Sequence, residues 1–462
     1  HRDLHSFPTR RSSDLNLNDP SKQYSQYISP LFVKGMKALG FTKEFEKGYG
    51  IWLEDSNGNK YLDLISGSGV FFLGRNNPEI GDVLIEIIQS KFSNLSQTDT
   101  PKYAALLAKE LIKLSPEKIS KVFFCNSGSE AVETAIKFAV ASSGKGEIIY
   151  SRDAFHGLTL GSLSVNGIDY FTEKFQKFIK KNTMVPFGEI KVLDEVLRKK
   201  EAAAFIIEPI QGYGINTSES NYFTEAQRLC KKYNTLFILD EVMTGLGRTG
   251  KFFALEHYSL EPDMIIVSKT LSGGFIPVGA VLMSDDIYKS VFNSSTNSNI
   301  HFTTFGQNTL AMAAGLATVL LIKEKNYCSR AAELGAIITQ TLNEFKQKYS
   351  YFSKVRGKGL LIGLELKAPD GFLKNLDWNI THAINQSLFI LNIVMKLFSD
   401  HNILSLPARR NKDVIRLLPP VIISEQEIKQ FCVALDKVLS EVSNENFTSF
   451  QTSKKLIKNI IS

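Results

Sequence analysis

The chain has 462 residues, 43% of them hydrophobic and 22% charged, with 31 glycines and 14 prolines, a globular profile that excludes intrinsic disorder and fibrous repeats. Its 54 lysines and arginines exceed the 47 acidic residues by 7, and they gather into no basic run of the kind that would bind nucleic acid. The four cysteines, Cys125, Cys230, Cys328 and Cys432, show no paired spacing, so neither a disulfide framework nor a zinc site is indicated and a reducing cytoplasm is expected.

The first 15 residues, HRDLHSFPTRRSSDL, precede any periodic pattern and lack a signal-peptide hydrophobic region. They are read as a non-native leader joined to a truncated start. Tyr49–Asp63 (YGIWLEDSNGNKYLD) reads as a β-hairpin, with its turn at Asp55–Asn59 marked by Asn-Gly. Between about 120 and 285, short apolar runs alternate with helical stretches. The runs are Lys121–Cys125, Glu147–Tyr150, Ala203–Ile207, Leu236–Leu239, Met264–Val267 and Val278–Met283; Ala131–Ala141 and Thr224–Lys232 are helical. Near-continuous apolar runs suit strands covered on both faces, and the alternation predicts a doubly wound α/β domain with a mostly parallel sheet. A long helix is expected over about 307–324. It is followed by a helix, strand, helix and strand at Ala331–Lys348, Gly359–Leu366, Thr381–Asp400 and Val414–Leu417. No apolar stretch reaches the roughly 18 residues a membrane span needs. The expected organisation is a leader (1–15), the N-terminal part of a small α+β domain (16–66), a large domain (67–330), the C-terminal part of the small domain (331–442) and a polar tail (443–462).

Three motifs sit where strands end. Phe124–Glu130 (FCNSGSE) leads from a strand through a glycine turn into a helix. Backbone N–H groups at such a helix start form a phosphate pocket, with Gly128 allowing close approach and Ser127 and Ser129 adding hydroxyls. Ser127 and Glu130 also match a capping box, a purely local device. Asp240 in Ile238–Val242 (ILDEV) stands at the C-terminal edge of the sheet, where ligands of open α/β sheets bind; the alternative is a helix cap. Lys269 in Val267–Gly274 (VSKTLSGG) lies one strand–helix unit later. It is either an amine nucleophile, with its pKa lowered by its surroundings, or an exposed charge. Phe155 and His156 can be core or site, and Glu208 and Thr304 are further candidates. Arg416 in Val414–Pro420 (VIRLLPP) is an arginine inside an apolar strand, which calls for a carboxylate partner. A phosphate pocket, a buried aspartate, a lysine nucleophile and a stacking ring are together what pyridoxal 5′-phosphate requires.

The stretches NSGSEAVETAIKFA (126–139), AFHGLTLGSLSV (154–165), IIEPIQGYG (206–214), ILDEVMTGLGRTG (238–250), PDMIIVSKTLSGGFIPVGAV (262–281), TTFGQN (303–308) and VIRLLPP (414–420) come in one order. In that order the chain resembles the class III, or ω-amino-acid, aminotransferases of fold type I, over about residues 30–440. The nearest in look are the putrescine, ornithine and acetylornithine aminotransferases. The resemblance implies that the large domain holds pyridoxal phosphate, with Lys269 as its covalent anchor and Asp240 on the pyridine nitrogen. Gly128 and Ser129, with Ser127, would hold the phosphate. Phe155 would stack on one ring face and Val242 on the other, and His156, Glu208 and Met243 would complete the cofactor set. Thr304 would reach the phosphate of a neighbouring subunit, which makes the protein a homodimer with shared active sites. Arg416 would bind a substrate carboxylate, with Tyr213 and Val70 also on the substrate side. No nucleic acid, membrane or metal partner is implied.

Three departures from the family pattern stand out. Ornithine-type enzymes carry a glutamate at the position of Tyr213, where it gates the carboxylate-binding arginine. Without it, Arg416 is expected to stay available, with the Tyr213 ring stacked on its guanidinium. Met243 replaces a glutamine that bonds the cofactor's phenolic oxygen. Gly306–Gln307–Asn308 replaces Gly-Gly-Asn. The expected activity is ping-pong transfer of an amino group from an ω-amine or amino acid to a keto acid, 2-oxoglutarate foremost. The DEVMTG stretch (240–245) also resembles glutamate-1-semialdehyde-type aminomutases, and a non-catalytic cofactor-binding regulator is a third reading.

Overall fold

In the computed structural model, residues 20–41, 43–96, 98–368, 379, 388–408 and 413–443 are described. The expected leader and polar tail, and the first part of the helix expected over 381–400, lie outside them.

The strands are β1 (Phe45–Tyr49), β2 (Trp52–Asp55), β3 (Lys60–Asp63), β4 (Lys121–Cys125), β5 (Glu147–Ser151), β6 (Thr183–Val185), β7 (Ala202–Ile207), β8 (Leu236–Asp240), β9 (Met264–Val267), β10 (Gly279–Met283), β11 (Phe352–Lys358), β12 (Leu361–Leu366), β13 (Ile403–Leu404), β14 (Leu406–Pro407) and β15 (Val414–Leu417). The hairpin forms where Asn-Gly predicts it, between β2 and β3. Asp55 Oδ1 accepts from the amides of Asn57 and Asn59 at 3.0 and 2.9 Å, and Gly58 supplies a φ of 80°.

The central sheet has seven strands in the order β4-β10-β9-β8-β7-β5-β6. All run parallel except β10, which is antiparallel to both β4 and β9. Every residue of β7, β9 and β10 is buried, which is why these strands read as unbroken apolar runs. One helix, Gly128–Ser143, packs on one face. The helix Thr309–Glu324 packs against Lys102–Lys113 and Pro78–Gln89. The fold is that of a fold type I pyridoxal-phosphate enzyme.

A second sheet, β11-β12-β15-β14, is covered by the helix Tyr327–Lys348 and joined by Leu388–His401 and Glu425–Ser443. A third sheet unites distant parts of the chain: β13 pairs in parallel with β3, Ile403 opposite Leu62. Five strands escaped the sequence reading: β1, β6, β11, β13 and β14. β6 is a three-residue edge strand, too short to show a period. β11 (FSKVRGK) reads polar because it is an edge strand with one buried residue, Phe352. No helix among the described residues is long and apolar enough to cross a membrane.

Candidate active site

Because six strands of the central sheet run the same way, their C-terminal ends converge at one edge, and the chemistry-bearing side chains gather there. They line a cavity of about 190 Å³ walled by Ser127, Gly128, Ser129, Phe155, His156, Glu208, Tyr213, Asp240, Val242, Met243 and Lys269, among others.

From β4 the chain turns into the helix Gly128–Ser143. Ser127 caps it, its Oγ accepting from the Glu130 amide at 3.2 Å. The reciprocal arm of the box goes one residue further back, the Glu130 carboxylate accepting from the Asn126 amide at 2.7 Å. The cap is therefore formed, and it leaves room for an anion at the same helix start. The first-turn amides of Gly128 and Ser129 have no intrahelical partner and stand at the cavity. A Cβ on Gly128 would meet Val242 at 3.3 Å, a tight contact to which the valine would have to yield.

Asp240 ends β8, buried at 3% exposure. Its Oδ1 accepts from the Val242 amide at 3.0 Å, and its Oδ2 accepts from His156 Nδ1 at 2.7 Å. Burial opposes charge on His156, but the Asp240 hydrogen bond and charge overrule it, so its pKa is raised. His156 Nε2 is buried without a partner in the chain. Glu208, directly after β7, accepts from the amides of Phe155 and Gly212 at 3.0 and 2.9 Å. Burial, opposed by His156 but aided by Asp240, pushes its carboxyl up to about 7.

Lys269 follows β9 with a φ of 44°, in the left-handed region that lysine rarely adopts. Such strain costs about 1–3 kcal/mol and clusters at functional positions. The lysine is partly buried at the cavity wall, and burial holds its amine below the ordinary lysine range, Arg416 and Arg248 acting with burial and Asp240 and Glu208 against it. A lysine so placed has the lowered pKa and the cavity position that an amine nucleophile needs.

Phe155 leans on Tyr213, ring centroids 4.3 Å apart, and Phe171 meets both rings edge-on. Arg416 enters from β15 of the second sheet. Its Nη1 donates to the Gly212 carbonyl at 3.3 Å, and its guanidinium lies 5.6 Å from the Tyr213 ring centroid. The expected stacking is thus in place, though the contact is at the outer range for a cation over a ring. Met243 packs under the glycine turns, where a Cβ on Gly212 would meet it at 2.9 Å. Val70 and Thr304 are not among the cavity's walls. Thr304 is exposed, and Val70 follows a turn whose Gly69 carbonyl accepts from Arg248 and Thr270.

Sequence reasoning missed Arg248. It is fully buried, donates to the carbonyls of Gly69, Leu360 and Pro419 at 3.2, 3.4 and 2.6 Å, and lies over the Phe72 ring at 4.7 Å. One guanidinium thus ties the loop after β8 to the segments that precede β12 and follow β15. An arginine in a Gly-rich loop carries no sequence mark of that role.

The residues fit pyridoxal phosphate on this structure's own terms. A helix start with open amides suits a dianionic phosphate, and a glycine cradle lets it close in. A buried carboxylate already braced by a histidine suits a pyridinium, and a buried amine suits the aldehyde. Fold and site together define a pyridoxal-phosphate-dependent enzyme of fold type I.

The class-III aminotransferase family model matches residues 38–439, and the chain belongs to that family. It is 33% identical over 464 residues to the aminotransferase PigE of Serratia sp., an alignment covering 94% of this chain and 54% of that protein, so the chain spans about half the length of this relative. It is 35% identical over 406 residues to the acetylornithine aminotransferase of Methanocaldococcus jannaschii, covering 86% of this chain and 93% of that one. Among solved structures, the ornithine aminotransferase of Toxoplasma gondii, described with partial occupancy of pyridoxal phosphate at its active site, superposes with a TM-score of 0.76 at 27% identity, covering 87% of this chain and 90% of that one.

Proposed function

We propose that the chain is an aminotransferase that takes an amino group from an ω-amine or amino-acid donor and passes it to a keto acid, 2-oxoglutarate foremost, in two half-reactions. The observation that carries this reading is the set of Lys269, Asp240 and the Ser127–Ser129 turn around one cavity, with Arg416 at its side. Bound there, pyridoxal phosphate supplies an electron sink for the carbon that bears the amine. The first-turn amides of Gly128 and Ser129 hold its phosphate. Asp240, fixed by His156 and the Val242 amide, keeps a proton on the pyridine nitrogen. Phe155 and Val242 close the two ring faces. Nζ of Lys269 would anchor the cofactor's aldehyde and, when free, would carry the proton taken from the donor's amine-bearing carbon. The donor carbon leaves as a carbonyl, the acceptor's carbonyl becomes an amine, and no outside oxidant is needed.

Arg416 binds the carboxylate of the keto acid. Tyr213 cannot neutralise the guanidinium as a gating glutamate would, so it shapes the donor side instead. Arg416→Ala is expected to raise the KM for 2-oxoglutarate by about 10-fold or more, the order for losing one charge-assisted pair at about 1.5–3 kcal/mol. The half-reaction with a diamine is expected to suffer much less. Equal damage to both half-reactions would make Arg416 structural.

A homodimer belongs to this reading. Thr304 is exposed, and Ile300, Phe302 and Phe305 beside it are 64%, 69% and 58% exposed, an apolar lip suited to burial against a second copy. The cysteines are free, which suits the reducing cytoplasm where we place the chain. A panel of amine donors with 2-oxoglutarate, read as glutamate formed, tests the whole reading. Glutamate that appears only with donor and keto acid together supports it. Isomerisation of an amino substrate without added keto acid would favour the aminomutase reading instead.

A further inference from the structure

The segment 298–306 lies behind the phosphate cradle. Thr303 Oγ1 accepts from the Asn126 side-chain amide at 2.6 Å, one residue before Ser127. Gly306 sits so close to the Phe124 carbonyl that a Cβ there would approach it to 2.6 Å. His301 ties this segment down as well. Its ring stacks on Phe123 of β4, centroids 4.8 Å apart, and stands edge-on to Phe138 at 5.4 Å. Its two nitrogens face the helix Gly128–Ser143, Nε2 at 2.9 Å from Thr134 Oγ1 and Nδ1 at 2.9 Å from Lys137 Nζ.

These partners fix the tautomer. An ammonium only donates, so Nδ1 accepts from Lys137. The Thr134 hydroxyl gives its proton to the Glu130 carbonyl at 2.9 Å, so its oxygen is left to accept from Nε2–H. Both contacts therefore require a neutral imidazole. A proton on Nδ1 would remove the acceptor and set an imidazolium against an ammonium. The charged group facing the ring from the helix is Lys137. Glu130 on that helix is engaged by Asn126, and Glu133 by Thr159 and the Gly161 amide. From β4 the ring is met by Phe123, and behind it Phe292 packs on Phe123 and Phe138.

We propose that His301 is a positioning residue for the cofactor's phosphate. In its neutral form it pins segment 298–306 behind the Phe124–Ser129 turn, and its protonation releases that support. The proposal rests on the reading that this turn holds pyridoxal phosphate. Burial, and then the Lys137 charge, keep the imidazole pKa below its ordinary 6.5. The folded chain therefore favours the neutral ring. The contribution is complete above pH 6.5 and is lost as pH falls from there through the folded value.

The test is equilibrium binding of pyridoxal 5′-phosphate to the cofactor-stripped full chain at pH 7.5 and pH 5.5, read by cofactor absorbance. Three proteins are compared: unsubstituted, His301→Gln and His301→Ala. Glutamine can accept from Lys137 and donate to Thr134, yet it does not titrate in this range. It is expected to bind within about threefold of the unsubstituted chain at pH 7.5. Between the two pH values the unsubstituted chain is expected to lose more than about threefold more affinity than the glutamine variant, because only the histidine takes up a proton. The alanine variant is expected to bind about 10-fold more weakly at pH 7.5, the order for losing the anchoring hydrogen bonds. Parallel pH profiles for the unsubstituted and glutamine proteins overturn the proposal, whether or not the alanine variant folds. An alanine variant that binds like the unsubstituted chain overturns it too. Absence of binding by the unsubstituted chain at both pH values overturns the cofactor reading itself.

Discussion

Lys269→Ala is expected to abolish covalent cofactor attachment and to lower turnover by at least about 10²–10⁴-fold, the range that a positioned proton-transfer group supplies by itself. The cofactor-stripped fold should survive the change. In the intact chain, burial opposes the amine's charge, so its folded pKa is depressed and at neutral pH the lysine costs stability rather than adding it. Removing it should leave the melting temperature of the stripped protein unchanged or higher. Loss of turnover with an unharmed melt separates a chemical role from a structural one. Full activity in the alanine variant would reassign the anchor to another lysine.

Asp240→Asn is the second large effect. The side chain keeps its shape and an acceptor for the Val242 amide, but it loses the charge that holds a proton on the pyridine nitrogen. Without that proton the ring draws electrons less strongly, and proton transfer in a single turnover should slow at least about 30-fold, or about 2 kcal/mol. His156 should report the same change. The Asp240 hydrogen bond and charge raise its pKa in the folded chain above the ordinary 6.5. The stability this confers is therefore fully present below pH 6.5 and lost as pH rises through the folded value. In the asparagine variant burial is left as the dominant influence on His156, so this pH dependence should be lost or reversed in the melting curve. An unchanged single-turnover rate would mean that Asp240 only organises the loop after β8.

Much of this site was legible because Ser127, Glu208, Asp240 and Lys269 all lie at, or within two residues of, the end of a strand of the central sheet. Buried strands of a parallel sheet announce themselves as unbroken apolar runs, and the residue after each run falls on the ligand edge. Asp240 after LFIL and Lys269 after MIIV were found in this way. The capping signal at Ser127 and Glu130 was also sound, and it marks the same helix start that offers its amides to a phosphate. Properties that depend on distant contacts were not legible. That Lys269 is held at a positive φ is one such property. Arg248 binds carbonyls more than a hundred residues away in sequence, and no local pattern encodes that. His301 stands in a polar stretch, NSNIHFTT, and its meaning comes from Thr134 and Lys137 on another element. β11 was hidden for a related reason. It is an edge strand whose residues, Phe352 apart, are only partly buried or exposed, so the hydrophobic pattern that reveals interior strands was missing.

Borohydride reduction of the cofactor-loaded full chain, followed by peptide mapping, tests the central claim most directly. The account predicts that the cofactor-derived label is fixed on the peptide containing Lys269, within VSKTLSGG, and that it is absent from the Lys269→Ala protein. A label on any other lysine, or an active protein that reduction leaves unlabelled, would contradict it.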